Sequence, residues 1–241
     1  VKYLLSVLLC VWTTLSWGVN VHTYIPPKAL LYKELISTEV PRIFPGMPDY
    51  NYVPALIEHE SCISLTHRRC WSPTSQLKTK REEGAGLSQI TKAYRTDGTV
   101  RFDKLQELRD AYRSELRELS WENIYARPDL QIRALVLLVR QDNNRLRDVK
   151  DPVERMKFTD AAYNGGVGGV FKEQRACGIA KDCDPNQWFD HVEKYCTRSK
   201  KAIYGTRSAC DLIHNHVRDV ITHKLPKYTK YYGLVRPVSL Q

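Results

Sequence analysis

The chain has 241 residues, 42% of them apolar and 27% charged, and a formal net charge of +10. That length holds one large domain or two small ones with ample core, and the composition excludes wholesale disorder. The positive charge asks for a polyanionic partner: nucleic acid, anionic lipid or an acidic wall polymer.

Residues 1–18 place Lys2 before an apolar run, with Ser16 and Gly18 at the −3 and −1 positions of a cleavage after Gly18. This is a secretory signal pattern, so the expected location is periplasmic or extracellular. The run is short and broken by Ser and Thr for a spanning helix, which needs roughly 20 apolar residues. An uncleaved membrane anchor is the alternative. Residues 19–48 then form an extended lead-in and a helix from Lys28 to about Val40, and residues 49–236 the main domain.

Within that domain, Val53 to Ser64 reads as a helix with Val53, Leu56, Ile57 and Ile63 or Ser64 along one face, capped by Asp49. Glu60 falls on the same face, whereas Glu58 points elsewhere and can reach water. A carboxylate on an apolar stripe is costly unless it is paired, protonated or used. Desolvation raises its pKa, which suits a general acid near neutral pH. The plain alternative is a buried glutamate satisfied by an arginine.

Residues 65–83 form a long polar loop containing Cys70, a solvated insert on base expectation. A helix begins near Asp103, with Leu105, Leu108, Tyr112 and Leu119. Asp129 to Arg140 is the most apolar helix and the expected centre of the core. Asp151-Pro152-Val153-Glu154 combines a cap, a proline at the first position and a Glu three after the cap. That helix runs to Tyr163 and stops at Asn164-Gly165-Gly166. Asn186 to about Lys200 and Ser208 to His223 are again helical. Alternating strand patterns are scarce and no repeat or linker interrupts the chain, so the expected class is mainly α.

With Cys10 removed alongside the signal, Cys62, Cys70, Cys177, Cys183, Cys196 and Cys210 remain. An even count in an exported chain suggests three disulfides. Spacing favours neighbours, Cys62–Cys70, Cys177–Cys183 and Cys196–Cys210, because short loops close at little entropic cost. Zinc is the rival, but no Cys-x-x-Cys pair or suitably spaced His supports it. No metal and no cofactor are expected. From Lys194 to Arg236 the chain is strongly basic, its only acids being Asp211 and Asp219. Export and disulfides disfavour nucleic acid as a partner; anionic wall polymers or a membrane surface fit better.

Three stretches carry chemistry. Glu60-Ser61 sits on the apolar helix face. Gly84-x-Gly86-Leu87-Ser88-Gln89 lets backbone approach a ligand, and Gln89 offers a donor and an acceptor. Ala162-Tyr163-Asn164-Gly165-Gly166 presents a phenol and an amide at a helix end. Singly, each has a bland counterpart as a turn or a cap.

Together, in this order, they resemble the SLT-domain lytic transglycosylases, which share a fold with goose-type lysozymes. That family carries Glu-Ser on a helix, then Gly-Leu-x-Gln, then Ala-Tyr-Asn-x-Gly, and the resemblance spans roughly residues 50 to 170. It implies a single lysozyme-like helical domain, here with disulfide-braced loops, acting as a monomer on peptidoglycan glycan strands. It implies that Glu60 is the sole acid/base at the MurNAc–GlcNAc linkage, leaving a 1,6-anhydro end. Ser61, Gly86, Leu87, Gln89, Tyr163 and Asn164 would contact substrate, with Tyr163 steering Glu60.

Two departures stand out: a long, cysteine-bearing gap between Glu60 and Gly86, and serine at position 88 in place of an apolar residue. The longer form looks like exported wall-degrading enzymes of phages or their hosts. If Glu82, Glu83 or Asp97 faced Glu60, a hydrolytic goose-type lysozyme reaction by inversion would follow. A non-catalytic wall-binding module is the remaining alternative.

Overall fold

The computed structural model describes residues 19–235. The signal-like segment with Ser16 and Gly18, and Arg236, lie outside the described residues. After an extended start come a one-turn helix, α1 (Pro27–Leu30), and α2 (Lys33–Ile43). The segment expected as one helix is therefore two, and α2 continues three residues past Val40, accommodating Pro41 near its end.

The next helix, α3 (Tyr52–Ser61), carries Glu58 and Glu60. It stops at Cys62, whose backbone is extended, so Ile63 lies outside the helix and is exposed. Asp49 does not cap it. Its Oδ1 instead accepts the Asn51 amide at 2.8 Å, folding the turn that leads in. Tyr52 through Glu58 are all buried, so α3 is enclosed on nearly every side rather than amphipathic.

The stretch expected as a loop builds half of an antiparallel sheet. Strands β1 (Gln76–Lys78), β2 (Glu82–Ala85), β3 (Ile90–Tyr94) and β4 (Val100–Asp103) pair in sequence order. The strands are only three to five residues long and rich in charge, so period-two hydrophobicity is not visible in them. Asp103 then caps α4 (Lys104–Ala111), accepting from Gln106 N at 3.0 Å, and the short α5 (Arg113–Leu116) follows.

The apolar run expected at the centre is α6 (Pro128–Arg145), which packs on α2, α4, α5 and α7. Helix α7 (Pro152–Gly165) begins as the sequence dictates: Asp151 accepts from the amides of Val153 and Glu154, with Pro152 in the first turn. It ends at Gly166, whose φ of +80° suits glycine. Immediately beyond runs α8 (Val167–Ile179), a helix the sequence reading passed over because two glycines open it. Conversely, Asn186 to Lys200 holds only a short 3-10 turn at Val192–Tyr195.

A two-stranded hairpin, β5 (Ala202–Tyr204) and β6 (Arg207–Ser208), precedes α9 (Ala209–Arg218). That helix passes through a π turn at Asp219–Lys224 into α10 (Leu225–Tyr232). One apolar cluster joins α2, α3, α6 and α10 around Trp71, and a second joins α7, α8 and α9 around Trp188. All three neighbouring disulfides form: Cys62–Cys70, Cys177–Cys183 and Cys196–Cys210. They fit an oxidising compartment. Among the described residues, no helix is long and apolar enough to cross a membrane.

Candidate active site

A groove of about 680 Å³ runs between the sheet and the junction of α6, α7 and α8. One wall is Glu82, Gln89, Thr91, Ala93 and Arg101 of the strands and their turn. The opposite wall is Leu138, Asp142 and Arg145, one face of α6, followed by Ala162 to Gly168. Glu60 reaches the groove from the end of α3, its side chain 15% exposed. The volume is ordinary for a ligand site.

Five of the candidate site residues read from sequence therefore meet: Glu60, Glu82, Gln89, Tyr163 and Asn164. Their roles differ in detail from expectation. The Gln89 side-chain NH2 is taken up by the carbonyls of Gly86, at 2.7 Å, and Ser75, at 3.3 Å. Only its oxygen remains to face a ligand. Tyr163 donates to the Ser88 carbonyl at 2.5 Å, tying the end of α7 to the β2–β3 turn. Burial, then the nearby carboxylates of Glu60, Asp160 and Asp142, hold its phenol well above the ordinary range, so it stays a donor. Its hydrogen bond goes to backbone, not to Glu60.

Ser61, Gly86, Leu87 and Glu83 do not line the groove. Ser61 is buried, donating to Ile57 O at 2.7 Å and accepting the Trp71 amide at 3.1 Å. It fastens α3 to the Cys70–Trp71 turn. Gly86 has φ +76°, and a Cβ there would lie 2.3 Å from Gln131 Oε1. That oxygen accepts the Leu87 amide at 2.8 Å. The Gly-Leu pair is thus the seat of a buried glutamine that shapes the turn presenting Gln89.

Strand alternation separates the two acids of β2. Glu82 faces the groove, while Glu83 accepts from Gln76 at 2.9 Å and lies 3.8 Å from Lys78. Asp97 sits in the β3–β4 turn, bonded to Thr99.

Glu58 reverses the expectation made for it. It is 1% exposed, with Lys227 Nζ at 2.6 and 2.7 Å and the Tyr228 hydroxyl at 2.8 Å. Helix α10 covers the side of α3 that was assigned to water. The carboxylate sealed from water is Glu58; the one with a path to solvent is Glu60.

Three further residues complete the site. His216 on α9 places Nε2 2.9 Å from Glu60 Oε1 and Nδ1 2.7 Å from Asp160 Oδ2. Asp160, fully buried on α7, also accepts from Tyr52 at 2.8 Å. Burial pushes the imidazole down, but the two carboxylates outweigh it and raise its pKa to about 10. Asp142 lines the groove, and burial lifts its pKa to about 6 despite Arg145 and Lys104.

The signal that singled out Glu60 was available for two of these. Asp160 lies four after Met156 and three before Tyr163; His216 lies three after Ile213 and four before Val220. Both are polar groups on apolar helical stripes.

Arg198 was also missed. Its guanidinium holds Glu173 at 2.9 Å and donates to the carbonyls of Gly165 and Gly166. Cβ atoms at Gly165 or Gly169 would run into it. The glycines after Asn164 make room for a clamp on the groove rim.

Other cations of the basic C-terminal stretch are likewise engaged: Lys227 by Glu58, Lys224 by Asp219 and Arg218 by Glu193. Lys200, Lys201, Arg207 and Lys230 are exposed. No family model, no curated protein and no solved structure matches this chain.

Proposed function

We propose that this protein cleaves the β-1,4 MurNAc–GlcNAc linkage of peptidoglycan as a lytic transglycosylase, on a lysozyme-like helical scaffold. What supports this reading is the meeting of three sequence motifs at one groove: Glu60, Gln89, and the Tyr163-Asn164 pair. A solvent-reaching carboxylate sharing one groove with an amide oxygen and a helix-end amide suits an N-acetylated sugar.

In the proposed reaction Glu60 gives a proton to the glycosidic oxygen as the bond to the sugar's C1 breaks. The C6 hydroxyl of MurNAc attacks C1, and its proton returns to Glu60. A 1,6-anhydro ring forms, no water is consumed and no cofactor is required. The second reading is hydrolysis by a goose-type muramidase. It is favoured by one observation: Glu82 and Asp142 line the same groove and supply further carboxylates, the arrangement common among glycosidases.

Mass spectrometry of muropeptides released from purified wall separates the two. Anhydro-MurNAc ends are the expected product. Reducing ends alone would assign the protein to the hydrolases, and intact wall would leave a binding module.

A further inference from the structure

Behind Glu60 lies a buried ionic chain to which the proposed reaction gives no task. Asp160 is fully buried and receives Tyr52 and His216 on its two oxygens, at 2.8 and 2.7 Å. An ionised carboxylate only accepts, so Nδ1 of His216 carries a hydrogen and the ring's orientation is fixed. At the other end Nε2 meets Glu60 Oε1 at 2.9 Å. A single proton on that contact can sit on either atom, as imidazolium beside carboxylate or imidazole beside carboxylic acid.

A purely structural account makes His216 a buried countercharge for Asp160. That need is met at Nδ1 alone. It leaves unexplained why Nε2 is aimed at the one carboxylate of α3 that lines the groove.

We propose that His216, held by Asp160, is the positioning residue and proton store of Glu60, keeping one exchangeable proton at the Nε2–Oε1 contact. The proposal rests on the reading of Glu60 as acid/base and adds the source of its proton. The count closes over one turnover. The proton passes from Nε2 to Oε1 and on to the glycosidic oxygen, leaving neutral imidazole beside carboxylate. The proton of the attacking hydroxyl then returns to Oε1 and to Nε2. Nothing is drawn from solvent between the steps.

The groups facing His216 are His59 and Glu60 from α3 and Asp160 and Tyr163 from α7. His59 stands edge-on at 4.2 Å and is itself bonded to Asp219 at 2.7 Å. Asp160 and Glu60 together outweigh burial and raise the imidazole's pKa to about 10. Without the histidine, Glu60 would face buried Asp160 unaided and have to draw its proton from solvent.

Two measurements test this. In wild type, ring-nitrogen NMR should show both His216 nitrogens protonated at about pH 8, where an ordinary imidazole is neutral. Loss of the Nε2 proton with a midpoint near 6.5 would overturn the proposal. In His216→Gln, the alkaline limb of kcat/KM should move down by about two pH units or more, with activity partly regained in acid. An unchanged limb in a folded variant also overturns it. Glu60→Gln, assayed in parallel, separates the layers. An inactive Glu60→Gln beside an unchanged His216→Gln profile retires the proton store alone, whereas an active Glu60→Gln removes the reading beneath it.

Discussion

Glu58 and Glu60 stand two residues apart on α3, each beside a basic partner, and differ in their access to water. Glu58 is sealed against Lys227, and removing its charge strands a buried ammonium whose pKa burial already pushes down. Glu58→Gln should cost about 3–5 kcal/mol of stability, read from chemical denaturation. Asp142 shows the reverse economy. Its pKa is raised to about 6 in the folded chain from an ordinary 3.8, so its contribution is most favourable below 3.8 and is lost as pH rises through 6. Asp142→Asn should therefore stabilise the protein at neutral pH, on the order of 3 kcal/mol, and leave stability near pH 3 about unchanged. A lower melting temperature at neutral pH would contradict that. Periodicity could flag Glu60 as an odd charge, but it could not tell which carboxylate is buried. That depends on α10, some 170 residues away, closing over Glu58.

Among the elements, those governed by local rules were legible and those set by tertiary contact were not. The cap and proline at Asp151-Pro152 define the start of α7, and the apolar run 129–140 lies inside the central α6, because both signals are contained in a few residues. The sheet and α8 were missed: short charged strands carry no alternation, and Gly168 and Gly169 argue against a helix. Gly169 faces a different demand, the approach of Arg198 from a segment brought in by the Cys196–Cys210 bridge. Since Arg198 holds the Gly165 and Gly166 carbonyls, Arg198→Ala should loosen the turn carrying Asn164. The expected result is a KM raised about three- to tenfold with kcat changed less, as positioning is lost while Glu60 is untouched. A fall in kcat alone would place Arg198 elsewhere in the mechanism.

At the scale of the whole molecule, two apolar clusters are joined through α6 and α7, and the groove opens where their helices meet the sheet. Its rim includes Ile203 of β5, within the loop closed by Cys196–Cys210. That loop spans 14 residues, and removing its crosslink should cost about 3 kcal/mol. A Cys196→Ala/Cys210→Ala variant should unfold correspondingly earlier in denaturant and bind glycan more weakly while folded. Unaltered stability would mean the bridge is redundant with the Arg198 clamp. The pairing itself was readable because all three bridges are local. The remaining task of the molecule is to bring residues 60, 89 and 163–164 to one surface. Sequence order suggested that convergence only through resemblance.

Everything proposed for this protein turns on Glu60. Release of soluble glycan from purified peptidoglycan, followed for wild type and Glu60→Gln at matched folded concentration, tests it most directly. The account predicts steady release by wild type and a loss of at least about a hundredfold in the variant, the scale of a missing general acid. Equal release by both proteins, or none by wild type, would contradict it.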